Sequence, residues 1–149
     1  MIAAERVVLA PGLPATEHLS RIALADLFLA TLPYNAHTTA SDALWMGVPV
    51  LTCAGGTFAG RVAASLLRAA GLPELVTHAL VDYEAAALRL ARDPAALAAL
   101  KAKLKNERDR LPLFDTARYT RHLETGFWTM WERHQRGDKP ADFTVDGMA

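Results

Sequence analysis

The sequence predicts an α/β fold in which a parallel sheet carries helices on both faces. Three observations predict it. Short apolar runs (Arg6–Ala10, Asp26–Leu29 and Pro49–Thr52) alternate with longer stretches whose apolar residues recur at helical spacing. The runs are continuously apolar, as strands covered on both faces are. Gly and Pro punctuate the junctions between the two patterns. The 149 residues suffice for one domain with a real core, and 52% of them are hydrophobic.

The elements follow in order. Arg6–Ala10 reads as a buried strand stopped by Pro11-Gly12. Pro14 to Leu24 reads as a helix with Thr16 as N-cap and Leu19, Ile22 and Ala23 at helical spacing. Asp26–Leu29 is the second strand, and a helix runs from about Thr38 to Met46, ended by Gly47 as a C′ residue. Pro49–Thr52 is the third strand, with proline at its start, where a missing N–H does least harm. Cys53–Thr57 is a turn, and Phe58 to Ala70 a helix with Phe58, Val62 and Leu66 on one face and Gly71 at its end. Leu75-Val76 is either a short strand or a connector. Val81–Ala91 is a helix capped by Asp82, with Tyr83, Ala87 and Leu90 inward. Asp93-Pro94 opens another, lined inside by Leu97, Leu100 and Leu104. Asp115 caps a final helix whose stripe of Tyr119, Leu123, Phe127, Met130 and Trp131 is expected to pack. The tail from Gly137 to Ala149 is expected to fray.

Strands joined by helices in right-handed crossovers place their carboxyl ends on one edge of the sheet. Three loops are then expected to meet there: Ala10–Gly12, the His37 loop and Cys53–Gly56. With so few strands, the chain matches the later part of a Rossmann-like domain. The middle loop holds the chemistry. Asn35-Ala36-His37-Thr38-Thr39-Ala40-Ser41-Asp42 brings an imidazole, three hydroxyls and a carboxylate to a strand-to-helix junction, where open α/β sheets bind anions. Thr38 and Thr39 offer O–H and N–H donors to a diphosphate, His37 a donor to a phosphate or sugar oxygen, and Asp42, one turn on, an acceptor for a ribose hydroxyl. Ordinary capping of the helix by a threonine competes with that reading. For His18, at the preceding helix, stacking on a base and a plain half-exposed position stand level. Arg21 shares its face, and solvation is the alternative there.

Other chemistry is absent. Charges balance to zero, which gives no field for nucleic acid, and the basic side chains from Lys101 to Arg110 read as a solvated helix end. The five histidines (18, 37, 78, 122 and 134) show no metal-ligand spacing. Neither a dinucleotide fingerprint nor a P-loop occurs, and Ser41 and Ser65 lie outside any nucleophile elbow. Cys53, the single cysteine, reads as a small buried hydrophobe and rules out an internal disulfide, which fits a cytoplasmic setting. Met1–Arg6 lacks a signal-peptide pattern, and no apolar stretch is long enough for a membrane span.

Three stretches carry a resemblance: Asp26–Leu29, Pro33 to Trp45 with its His-Thr-Thr-x-x-Asp core, and Gly47–Thr52. They closely resemble the O-linked N-acetylglucosamine transferase family, glycosyltransferase family 41, which also holds SPINDLY-type fucosyltransferases. Arg61–Ser65, Pro112–Thr116, Tyr119 and Met130–Glu132 extend the match over residues 6–143. The resemblance implies the GT-B fold, of which this chain holds an incomplete second, nucleotide-binding domain: residues 1–112 as the Rossmann-like part, 113–136 as a C-terminal helix packing on it, and 137–149 as a tail. It implies that His37, Thr38 and Thr39 hold the diphosphate of UDP-N-acetylglucosamine, that Asp42 meets the ribose, and that His18 and Arg21 lie at the uracil. The implied reaction is inverting transfer of the sugar to a Ser or Thr hydroxyl of a protein, without a metal or other cofactor. GDP-fucose or UDP-glucose as donor, and a non-catalytic remnant or interaction module, are the competing readings. The protein acceptor, the facing GT-B half and a helical-repeat domain are the implied partners, so the isolated chain is expected to be inactive. Two positions depart from the family: Ala15 stands where animal members have a lysine, and Ala30 where many members have an aspartate.

Overall fold

A computed structural model describes residues 3–145 of the chain. Its centre is a three-stranded sheet in the order β1-β2-β3: β1 is Phe28–Ala30, β2 Val50–Cys53 and β3 Val76–Thr77. Both pairings are parallel, with Leu29 beside Leu51, Ala30 beside Thr52 and Cys53 beside Thr77. The predicted α/β class is therefore observed, and Leu75-Val76 resolves into a strand one residue further on. The central strand β2 is buried along its whole length. The described residues also form six α-helices: α1 (Ala15–Ile22), α2 (Thr38–Trp45), α3 (Val62–Ala69), α4 (Leu80–Ala91), α5 (Pro94–Glu107) and α6 (Thr116–Gln135). Helices α2, α3 and α4 all pack on β2. Leu44, Val48, Leu51, Leu67, Leu72, Leu75, Leu90 and Leu104 form the core between them. Each such leucine contributes about 1.5–3 kcal/mol relative to standing exposed.

Local chemistry sets several ends as predicted. Gly47 and Gly71 follow α2 and α3 with φ of 79° and 67°, a backbone that only glycine adopts without cost. The Asp93 and Asp115 carboxylates accept from the N–H groups of Ala96 and Arg118 and cap α5 and α6. Elsewhere the caps differ. Thr16 lies inside α1, behind Pro14, and Asp82 lies in the first turn of α4, behind Ala79.

Three further expectations fail. Arg6–Ala10 is not a strand: Ala4–Arg6 forms a 3-10 turn, and Val8 and Leu9 beyond it are 84% and 90% exposed. An apolar run becomes a strand only where a neighbour completes its hydrogen bonds, and none of the described strands pairs with this one. The apolar stripe of α6 also stands exposed, from Tyr119 to Trp131. The covered face is the neighbouring one, through His122, Gly126, Thr129 and Arg133. There Gly126 is buried against Val145, and Arg133 lies over the Phe143 ring and donates to the Ala141 carbonyl. The tail, expected to fray, thus folds back along α6 as far as Val145. Met1, Ile2 and Asp146–Ala149 lie outside the described residues. Among the described residues no helix is long and apolar enough to cross a membrane.

Candidate functional site

An open cleft of about 420 Å³ lies where β1 hands over to α2. Its walls are the strand Phe28–Ala30 and the segment Tyr34–Thr39. His37 stands at the N-cap position of α2, and its carbonyl accepts from the N–H groups of Ala40 and Ser41. Thr38 and Thr39 are the first two helical residues, not caps. No side chain caps this helix, and neither threonine hydroxyl nor either N–H finds a partner among the described residues. The capping alternative for these threonines therefore fails. Exposed donors at a positive helix end are left facing the cleft.

The His37 ring is fixed by its surroundings. It stacks on Tyr34 at 4.6 Å between centroids and meets Phe58 edge-on at 6.2 Å. Its Nε2 lies 3.3 Å from the Ala59 carbonyl, which can only accept, so Nε2 carries the hydrogen. Nδ1 then accepts from the Tyr34 hydroxyl, 3.4 Å away. Phe58, expected on a helix face, instead sits 76% exposed in the loop beside the cleft, because α3 begins only at Val62. Its aromatic ring was legible in the sequence; the late start of the helix, after Gly55-Gly56 and Gly60, was not.

Two of the three expected loops meet. The loop after β1 and the loop after β2 are tied by Asn35 N–H to the Ala59 carbonyl at 3.0 Å and by the His37 contact to the same oxygen. Gly60 lets them approach: a Cβ there would stand 3.2 Å from the Gly55 Cα and 3.3 Å from the Pro33 carbonyl. The Ala10–Gly12 loop leaves no strand, but Arg21 donates to the Pro11 carbonyl at 2.8 Å and so anchors that segment to α1.

His18 and Arg21 are brought together, though not into the cleft wall. The Arg21 guanidinium donates to His18 Nδ1 at 3.1 Å, and both are half-buried on α1, which packs against α2. Asp42 is half-buried one turn into α2 and also lies outside the wall. Cys53 is buried as expected, with a free thiol. The sequence reading missed the two fully buried polar residues, Asn35 and Thr52. A threonine in an otherwise apolar strand, and an asparagine two residues before the histidine, were the signals. Among the described residues no three His, Cys, Asp or Glu side chains gather as a metal site would require.

Comparison with known proteins places this geometry among relatives. The family model described as Glycosyl transferase family 41 matches residues 1–123. A probable UDP-N-acetylglucosamine--peptide N-acetylglucosaminyltransferase SEC from Arabidopsis thaliana is 41% identical over 131 residues, which are 87% of this chain and 13% of that protein. The UDP-N-acetylglucosamine--peptide N-acetylglucosaminyltransferase of Caenorhabditis elegans is 39% identical over 132 residues, 89% of this chain and 12% of its own length. Among solved structures, a mutant O-GlcNAc transferase from Thermobaculum terrenum superposes with a TM-score of 0.82 at 42% identity, covering 87% of this chain and 25% of that one. The chain thus spans about an eighth of the curated relatives and a quarter of the solved structure.

Proposed function

The chain belongs to glycosyl transferase family 41, and on that premise we propose that its cleft holds the diphosphate of UDP-N-acetylglucosamine. The reaction served is inverting transfer of the sugar to a Ser or Thr hydroxyl of a protein. The observation that carries the reading is the start of α2. Two exposed threonines present unpartnered N–H and O–H groups at a helix end already favourable to negative charge.

The chemistry follows from that placement. As the bond between sugar and diphosphate breaks, negative charge grows on the leaving diphosphate. Donors fixed in advance stabilise that charge more than they stabilise the bound substrate. Helix N–H groups and the hydroxyls of Thr38 and Thr39 supply them, and the reading needs no metal. The His37 ring, engaged at both nitrogens, serves mainly to hold the helix start against Ala59. Asp42 is assigned to the ribose, and the paired His18 and Arg21 to the uracil. The acceptor protein, the facing half of the cleft and a helical-repeat platform belong to the longer proteins of the family. Turnover is assigned to such an assembly and not to these residues alone, in a cytoplasmic setting.

Titration calorimetry of UDP and of GDP against the 149-residue chain tests this reading. UDP is expected to bind, with His37→Ala weakening it. Preference for GDP would move the donor to GDP-fucose. A folded chain that binds neither nucleotide would refute the assignment.

A further inference from the structure

We propose that Asn35 is a positioning residue for the cleft, setting where His37, Thr38 and Thr39 stand relative to the loop after β2. The asparagine is fully buried (0% exposed), and its side-chain amide bridges two separate chain segments. Nδ2 donates to the Thr31 carbonyl at 3.0 Å, just beyond β1, and to the Cys53 carbonyl at 3.4 Å, at the end of β2. Oδ1 accepts from the Thr52 hydroxyl at 3.2 Å. The belt continues to β3, because Thr77 Oγ1 donates to the Thr52 carbonyl at 3.0 Å. The Asn35 backbone N–H donates to the Ala59 carbonyl, the same oxygen that receives His37 Nε2. One side chain therefore spans the carboxyl ends of β1 and β2 and hands the result to the helix start through two residues of backbone.

The chemistry demands an amide at this point. Two carbonyls face Nδ2 and one hydroxyl faces Oδ1, so the site needs donors on one side and an acceptor on the other. Aspartate would set a carboxylate against two carbonyl oxygens. An apolar residue would take this partner from the buried Thr52 hydroxyl and Cys53 carbonyl and from the Thr31 carbonyl. A plain core contact would stabilise the fold without dictating the site. Here the network ends on the histidine itself, so loosening it should move that ring.

The proposal rests on the diphosphate reading for its effect on affinity, but its structural half can be read without ligand. The test uses the full 149-residue chain with Asn35→Asp, Thr52→Val and Thr52→Ser. Three quantities are measured: Tm, the imidazole nitrogen resonances of His37 across a pH titration, and UDP affinity. Thr52→Val removes one hydroxyl at nearly constant shape and carries the test if Asn35→Asp does not fold. Thr52→Val is expected to shift the His37 resonances and weaken UDP about tenfold, the equivalent of one lost buried hydrogen bond. Thr52→Ser should restore both. A folded Thr52→Val chain with wild-type His37 resonances would overturn the proposal, whatever its Tm. Shifted resonances in a chain whose wild type does not bind UDP would uphold the positioning role and refute the ligand instead.

Discussion

Gly60 joins the fold to the cleft, and replacing it with alanine gives a magnitude that the structure fixes. Gly60 is buried where the loops after β1 and β2 touch. An added Cβ would stand 3.2 Å from the Gly55 Cα, 3.2 Å from Thr57 Oγ1 and 3.3 Å from the Pro33 carbonyl. Carbon atoms in good contact are about 3.5–4.0 Å apart, so each neighbour must yield by a few tenths of an ångström. Two of the three are backbone and cannot rotate aside. Thr57 is also held, since its hydroxyl accepts from the Gly60 N–H. Overpacking of this kind costs about 1–3 kcal/mol. Gly60 lies outside the left-handed region, so alanine recovers about 0.4–1 kcal/mol by restricting the unfolded chain. The net expectation is a loss of ~1–2 kcal/mol, or a Tm lower by about 3–8 °C for a domain of this size. Gly56, four residues earlier, has nothing within 4 Å of its would-be Cβ and is exposed. Gly56→Ala should therefore be neutral or raise Tm by about 1–3 °C. Thermal unfolding of the two variants side by side checks the argument. If Gly60→Ala melts with or above Gly56→Ala, the two loops are not in the contact described, and the construction of the cleft from them falls.

Three further outcomes are expected. Thr39→Val should weaken UDP binding by ~1–3 kcal/mol without changing Tm appreciably; calorimetry showing equal affinity would remove Thr39 from the ligand site. Asp93→Ala should cost about 1 kcal/mol by leaving the Ala96 N–H uncapped, which urea denaturation would detect; an unchanged midpoint would make the cap inert. Burial first, and then the charge of Cys53, raise the Tyr83 hydroxyl above its ordinary value. Its folded form thus holds the proton more tightly than the unfolded form. That contribution is complete below the ordinary tyrosine value and is lost as pH rises through and above about 10. The hydroxyl has no partner among the described residues, so Tyr83→Phe should be neutral or up to about 1 kcal/mol stabilising at pH 7. It should also flatten the alkaline loss; a steeper loss in the variant would contradict the burial argument.

What the sequence determined by itself was local or periodic. The apolar runs at β1 and β2, the glycines after α2 and α3, and the aspartate caps of α5 and α6 follow from neighbours within a few residues. So does the clustering of His37, Thr38 and Thr39 at one strand-to-helix junction. Tertiary structure decided everything that needs a partner distant in the chain. Val7 to Leu9 has the composition of a strand, but composition cannot supply a ladder. The α6 stripe has the period of a packed face, but period does not say which face is covered; Gly126 and the returning tail chose the adjoining one. Asn35 and Thr52 look unremarkable seventeen residues apart. They acquire a role only because parallel pairing sets Thr52 beside Ala30 and brings the loop that follows β1 over the end of β2. A hydrogen bond is short-ranged and directional, so its existence is a fact about three-dimensional placement. The His37-Thr38-Thr39 run at the cleft was legible in the sequence, and the contacts that position it were not.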